Sequence, residues 1–114
     1  MMPKVSLLIP VYNVESTLDA ALASAENQTL KEIEILCVDD GSTDRSPEIL
    51  NQHAARDSRI ILLRHEQNKG LFSARKTAAE KAAGQYLMFL DSDDTLNPNA
   101  CEKAFRTIES RQTE

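Results

Sequence analysis

Two short acidic motifs carry the residues of this sequence that are best suited to chemistry. Residues 39–42 read Asp-Asp-Gly-Ser and residues 91–94 read Asp-Ser-Asp-Asp, and each motif follows a short apolar run. Carboxylates that are brought together raise one another's pKa unless a cation or hydrogen-bond donors compensate. A divalent metal is the simplest compensation, and few protein ligands plus phosphate oxygens suit Mg²⁺ or Mn²⁺. We therefore predict a metal-assisted diphosphate site.

Each motif alone has a simpler interpretation. Asp and Gly are common in turns, and Asp caps helices, so residues 39–42 are also typical of a turn without function. Residues 91–94 are also typical of a solvated loop before a helix, and they lack the later Gly and distal Glu of an EF-hand loop. In an extended segment Asp91 and Asp93 would point the same way. Two such motifs, each directly after a predicted strand, favour the functional interpretation.

Four apolar runs alternate with four helical patterns and must position these motifs. The runs cover residues 5–10, 33–38, 60–63 and 86–90, and none alternates strictly with polar residues. This predicts strands that are covered on both faces. Apolar residues at helical spacing follow at 18–25, 49–54, 71–82 and 101–108.

Proline and glycine positions mark the helix ends. Pro47 lies near the start of the second helix, and Gly84 is placed for a left-handed cap after the third. Pro98 is predicted to open the fourth helix with Asn97 as its cap.

This order of elements predicts an α/β fold with a doubly wound, mainly parallel sheet of strand order 3-2-1-4. We expect residues 1–114 to form one domain. Ligands of such sheets bind beyond the carboxyl ends of the strands, where the strand order reverses. Both acidic motifs would therefore lie at the same sheet edge. No phosphate-binding glycine loop of the GxGxxG or P-loop type is present, which leaves a metal as the main anchor for a diphosphate.

Composition excludes several classes of protein. The net charge of −5 argues against a nucleic-acid partner, and no apolar stretch reaches the length of a membrane span. The only cysteines, Cys37 and Cys101, lie in apolar patterns and are predicted to be free, buried thiols in a reducing compartment.

Four motifs in order resemble the GT-A fold glycosyltransferases of family 2. They are Pro-Val-Tyr-Asn at 10–13, Val-Asp-Asp-Gly-Ser-Thr-Asp at 38–44, Asn-Lys-Gly at 68–70 with Ala74-Arg75, and the acidic motif at 91–94. They span nearly the whole chain. One motif would be weak evidence, whereas four in order at strand ends are specific.

The resemblance implies transfer, with inversion, of a sugar from a nucleotide-diphosphate donor, with UDP-sugars favoured. The acceptor would be a glycan or a lipid-linked glycan in bacterial polysaccharide or cell-envelope synthesis. The expected location is cytoplasmic, at the inner face of the membrane for the full-length protein. The alternative is a non-catalytic nucleotide-binding or regulatory module on the same fold.

The resemblance also assigns the nucleotide-sugar-binding residues: Pro10, Tyr12, Glu15, Asp40, Arg75 and Asp91. Tyr12 would pack on the base and Asp40 would accept a hydrogen bond from a uracil ring N–H. Asp91 would lie near the ribose. Tyr12 is also typical of an aromatic at the edge of a core, and Arg75 of a solvated helix residue.

The remaining assignments concern the metal and the diphosphate. Asp93 would ligate Mg²⁺ or Mn²⁺, and Arg75 would lie near the base or the diphosphate. Asp39 should point away from Asp40 and serve loop or capping hydrogen bonds. His53 is predicted to pack on a helix face and His65 to lie in a loop.

Inverting transfer requires a general base, which the resemblance places beyond Glu114. No catalytic residue is therefore assigned, and the isolated chain, interpreted as the donor-binding part of a longer protein, is predicted to be inactive. An uncovered edge of the fourth strand predicts self-association or marginal stability.

Overall fold

The computed structural model describes residues 2–112, which form four strands and four helices in strict alternation. The bounds in chain order are β1 Val5–Val11, α1 Leu18–Glu26, β2 Ile33–Asp40, α2 Ser46–Arg56, β3 Ile60–His65, α3 Leu71–Lys81, β4 Tyr86–Phe89 and α4 Ala100–Gln112. The strands form one sheet of order β3-β2-β1-β4 in which every pairing is parallel. The predicted fold class and strand order are confirmed.

The strand register brings the functional motifs to one edge of the sheet. Val11, the last residue of β1, pairs with Asp39, and Asp40 pairs with His65 at the end of β3. On the other side of β1, Leu8 pairs with Phe89, the last residue of β4. Because all strands run the same way, the residues that follow β1, β2 and β4 emerge together.

Apolar side chains on the two faces of the sheet form two separate cores. The larger core packs one face of β1 and β2 against α1, α2 and α4, with Leu22, Leu50 and Cys101 as buried contributors. The smaller core packs the opposite face against α3, through Ala74 and Ala78. Burial of one leucine side chain stabilises the fold by about 1.5–3 kcal/mol, so the larger core dominates stability.

The prediction that all strands are covered on both faces is correct for β1 and β2 and wrong for the outer strands. Every residue of β1 and β2 is buried. In β4, however, Leu87 is 47% and Phe89 49% exposed, and Ile61 of β3 is 38% exposed. The reason is that α3 packs over β1 and β2 and leaves this face of the outer strands open.

Two of the predicted helix boundaries are also wrong. Pro47 does lie in the first turn of α2, as predicted. Helix α4, however, begins at Ala100 rather than Pro98: a turn closed by the Ala100 N–H on the Asn97 carbonyl precedes it, and the Lys103 N–H donates to the Asn99 carbonyl at 2.9 Å. Gly84 is not left-handed. A side chain there would put its Cβ 2.6 Å from Ser6 Oγ and 2.7 Å from Ser6 N, so glycine allows the chain to pass close to β1.

Both cysteines are free and buried, as predicted. Burial, with a smaller contribution from the Glu26 charge, raises the pKa of the Cys37 thiol to about 12. Burial raises the pKa of Cys101 to about 11. Among residues 2–112, no helix combines the length and apolar character that crossing a bilayer requires.

Candidate functional site

A cleft of about 360 Å³ lies at the carboxyl ends of β1, β2 and β4. Five of the seven residues assigned from the sequence line it: Pro10, Tyr12, Asp40, Asp91 and Asp93. The two acidic motifs therefore converge on one cavity, as the parallel strand order predicted. Their individual roles toward a ligand stay predictions.

The second acidic motif forms a turn rather than an extended segment. The Asp94 N–H donates to the Asp91 carbonyl at 3.0 Å. The turn brings one carboxylate oxygen each of Asp91, Asp93 and Asp94 within 4.8 Å of one another, and all three residues are exposed. Ser92 at the centre of the turn is buried, and its carbonyl accepts a hydrogen bond from Thr17 Oγ1 at 3.0 Å. Three carboxylates on an anchored turn form a donor set that suits a hard divalent cation.

The carboxylate of Asp40 is buried at the end of β2 and held by three donors. His65 Nδ1 lies 2.7 Å from Oδ1, and the N–H groups of Lys69 and Gly70 donate to Oδ1 and Oδ2 at 2.9 and 2.8 Å. Burial raises the pKa of Asp40, but the hydrogen bonds from His65, Lys69 and Gly70 outweigh it, so the pKa is lowered. Asp40 therefore presents a carboxylate, and not a carboxylic acid, to the cleft at neutral pH.

The prediction that His65 lies in a loop is wrong. His65 is the last residue of β3, only 8% exposed, and its Nε2 lies 2.7 Å from Thr77 Oγ1 on α3. The apolar run at 60–63 does not indicate that His65 is in the strand, because the run ends before the polar residues that complete β3. The adjacency of β2 and β3 in the predicted strand order was the available signal.

Asn13 fixes the loop that carries Tyr12. Its φ is +50°, and its Oδ1 accepts hydrogen bonds from the N–H groups of Thr43 and Asp44 at 2.8 and 3.3 Å. Its own N–H donates to Ser42 Oγ at 3.0 Å. The loops after β1 and β2 thus form one unit, which presents Tyr12 at the cleft with 46% of its surface exposed.

Two of the assigned residues do not line the cleft. Glu15 is exposed, and its backbone N–H donates to Asp44 Oδ2 at 3.1 Å. Arg75 lies at the rim, where its Nη2 donates to Asp91 Oδ1 at 3.0 Å and its guanidinium carbon is 5.6 Å from the centroid of the Phe89 ring. Arg75 is therefore not simply solvated.

The two residues interpreted as structural serve local roles. Asp39 makes the expected loop contact, because its Oδ1 accepts the Ser42 N–H at 2.9 Å. His53 packs between α1 and α2 as predicted, and its ring nitrogens lie 2.7 and 2.9 Å from carboxylate oxygens of Asp19 and Glu26.

Sequence reasoning missed Asn68 and Leu71 among the residues that line the cleft. Asn68 Nδ2 also donates to the Asp40 carbonyl at 3.4 Å. The Asn-Lys-Gly motif at 68–70 is visible in the sequence, but the motif alone does not predict this contact. Its position before α3 was the signal, because loops after strands at this edge face the ligand.

Comparison with known proteins places these features in one family. The family model "Glycosyl transferase family 2" matches residues 6–113. EpsJ, an uncharacterized glycosyltransferase of Bacillus subtilis (strain 168), is 41% identical over 98% of this chain and 32% of its own length. The Escherichia coli protein WfaP, a UDP-Glc:alpha-D-GlcNAc-diphosphoundecaprenol beta-1,3-glucosyltransferase, is 45% identical over 82% of this chain and 36% of its own.

Solved structures agree with the sequence comparisons. The crystal structures of S. aureus TarS 1-349 in complex with UDP and with UDP-GlcNAc each match with a TM-score of 0.87, at 30% and 31% identity. Each match covers 94% of this chain. It covers 32% of the TarS chain in the UDP complex and 31% in the UDP-GlcNAc complex. The chain thus spans about a third of the length of the relatives it matches.

Proposed function

Since this chain belongs to glycosyl transferase family 2 and has the GT-A fold, we propose that it binds the nucleotide-diphosphate sugar donor, with a UDP-sugar favoured. The observation that carries the proposal is the convergence of Tyr12, Asp40 and the acidic turn on one cleft. The UDP and UDP-GlcNAc complexes of TarS and the UDP-Glc in the name of WfaP support the choice of nucleotide.

The base would bind at the β2 side of the cleft. The half-exposed ring of Tyr12 offers a flat surface on which a base can stack. Asp40, held as a carboxylate, accepts a hydrogen bond from a ring N–H of uracil. Cytosine and adenine have no such ring N–H in their ordinary forms, so Asp40 would distinguish UDP from CDP and ADP.

The diphosphate would bind at the β4 side. Asp93, with Asp91 and Asp94 beside it, would hold Mg²⁺ or Mn²⁺, and the ion would supply charge neutralisation for the departing nucleotide diphosphate. Arg75 lies beside this turn, because its Nη2 donates to Asp91 Oδ1 at 3.0 Å. The exposed part of its guanidinium would lie near the diphosphate.

Transfer of the sugar, with inversion, to an acceptor hydroxyl is proposed for the whole protein. That step requires a general base within reach of the acceptor. In this proposal the residues of the cleft would bind the nucleobase, the diphosphate and the metal, and none is assigned as the general base. We therefore expect the 114 residues alone to bind the donor without transferring the sugar.

Calorimetric titration tests the proposal. We expect the chain to bind UDP in the presence of Mn²⁺ more tightly than CDP or ADP, and to lose this binding when a chelator is added. Asp93→Ala should weaken UDP binding by on the order of tenfold or more, because it removes a charged ligand from the metal. Glu80→Ala removes an exposed carboxylate from α3 and is the matched control.

Two results would contradict the proposal. One is the absence of UDP binding at millimolar concentrations with Mn²⁺ or Mg²⁺. The other is equal affinity for UDP, CDP and ADP, which would show that Asp40 does not select uracil.

A further inference from the structure

We propose that His65 is a positioning residue for recognition of the nucleotide base, and that it acts through Asp40 with Thr77 as its support. The inference rests on the proposed function, since it concerns the same cleft. His65 does not line the cleft itself, whereas Asp40 does. Its effect on a ligand would therefore be indirect.

The imidazole ring of His65 bridges two partners that lie on different elements. Nδ1 lies 2.7 Å from Asp40 Oδ1 at the end of β2, and Nε2 lies 2.7 Å from Thr77 Oγ1 on α3. The His65 side chain is 9% exposed and that of Asp40 3% exposed. The bond to Asp40 is therefore shielded from water and the bond to Thr77 is partly buried, and together they join β2, β3 and α3 behind the cleft.

Asp40 determines which nitrogen of His65 acts as the donor, and Thr77 holds the other nitrogen. An ionised carboxylate only accepts hydrogen bonds, so Nδ1 must carry a proton toward Asp40. Thr77 Oγ1 can pair with Nε2 as donor or as acceptor, so it supports the ring orientation that directs Nδ1 at Asp40. A valine at position 77 would have similar volume but could not make this bond.

The donors on Asp40 limit what it can still accept. A carboxylate has about four acceptor positions. His65, Lys69 and Gly70 occupy three, two on Oδ1 and one on Oδ2. One position on Oδ2 remains for a single N–H group in the cleft. Loss of His65 would free a position on Oδ1 and remove one of the three bonds that fix the rotation of the carboxylate.

The test compares a ligand that contains a nucleobase with one that contains none. UDP and inorganic pyrophosphate, each with Mn²⁺, are titrated into the full chain and its variants by calorimetry. We expect His65→Leu to weaken UDP binding by on the order of tenfold, the scale of one buried charged hydrogen bond, and to change pyrophosphate binding by less than about twofold. Thr77→Val should weaken UDP binding in the same direction by a smaller factor.

A conservative variant separates positioning from general damage. His65→Asn places an amide N–H near the position of Nδ1 and should recover most of the UDP affinity. A purely structural role would instead lower the thermal stability of His65→Leu and weaken both ligands equally. That outcome, or unchanged UDP affinity in both His65→Leu and Thr77→Val, would overturn the inference.

The two proposals fail in different ways. A wild-type chain that does not bind UDP with Mn²⁺ overturns the proposed function, and this inference with it. A wild-type chain that binds UDP, beside His65 and Thr77 variants that bind it equally well, overturns the role of His65 alone.

Discussion

Nη2 of Arg75 lies 3.0 Å from Oδ1 of Asp91, so a cation of the protein already contacts the turn that would hold a metal. Arg75→Gln should therefore raise the affinity for Mn²⁺ in the absence of nucleotide by about two- to fivefold and weaken UDP binding by a similar factor. Both side chains are substantially exposed, at 39% and 50%, so the free energy of unfolding should change by less than about 1 kcal/mol. Calorimetry and thermal unfolding measure these quantities.

The control for this pair is Lys76→Gln, which removes a positive charge from the next, exposed position of α3. It should leave both affinities near the wild-type values. If Lys76→Gln and Arg75→Gln changed the Mn²⁺ affinity equally, the effect would come from net charge rather than from the contact with Asp91.

The second prediction concerns the proposed stacking of the nucleobase on the Tyr12 ring. Tyr12→Ala should weaken UDP binding by on the order of tenfold, because base–aromatic stacking is worth about 1–3 kcal/mol. Tyr12→Phe keeps the ring and should bind nearly as well as wild type. The dissociation constants of the variants for UDP test this prediction. Wild-type affinity in Tyr12→Ala would show that the nucleobase does not stack on Tyr12.

Gly41 predicts a strong effect on stability. Its φ is +75°, and an added Cβ would lie 2.7 Å from the Asn68 backbone nitrogen. Gly41→Ala combines a left-handed backbone with a backbone clash and should lower the free energy of unfolding by about 3 kcal/mol. Urea unfolding measures it. A loss below about 0.5 kcal/mol would contradict the close approach of these two loops.

Lowered carboxylate pKa values predict acid sensitivity. The Arg59 side chain is the main cause of the lowered pKa of Asp57, while in Asp40 hydrogen bonds outweigh the opposing effect of burial. Both groups favour the ionised form in the folded state. Their contribution is complete above the unfolded pKa of about 3.9 and is lost as the pH falls through the lower folded value.

Asp57→Asn makes the pH effect measurable. We expect it to lower the free energy of unfolding by about 1–2 kcal/mol at pH 7, with a difference from wild type that shrinks below about pH 4. Urea unfolding from pH 7 to 2.5 follows this difference, with Glu66→Gln, at an exposed carboxylate, as control. A difference that stays constant with pH would contradict the sign of the shift.

The open side of β4 predicts self-association. Among the described residues, β4 pairs with β1 alone, and Leu87 and Phe89 are about half exposed beside this edge. Exposed edges and apolar side chains favour pairing with a second chain. Light scattering should show mass increasing with concentration in the micromolar range, and Leu87→Lys should reduce it. A stable monomer across that range would refute the prediction.

The parts of the fold that depend on periodicity and chain order could be predicted from the sequence. Alternating strands and helices require right-handed crossovers, and parallel strands end at one edge, so the convergence of Asp40 and Asp93 followed from chain order alone. The predicted strand order of the sheet, 3-2-1-4, placed β2 beside β3. Nothing in the sequence, however, gives the register that sets Asp40 against His65.

What could not be predicted depends on how neighbouring elements are placed. The exposure of Leu87 and Phe89 reflects where α3 lies on the sheet, which helical spacing does not determine. The sequence indicates that Gly84 ends a segment. Glycine is required there, however, because Ser6 of β1, 78 positions earlier, lies too close for a side chain. The same limit applies to residues 91–94, where a turn produced the clustering of carboxylates that an extended segment was expected to give.

The bonds that Asn13 makes to the loop after β2 have a consequence for the thermodynamics of binding. A side chain that must be ordered when a ligand arrives loses about 0.5–1.5 kcal/mol of conformational entropy. Here the backbone before α1 is fixed in advance by hydrogen bonds within the protein. Little ordering of this segment remains for a ligand to induce, so more of the free energy of the proposed stacking on Tyr12 would appear as affinity.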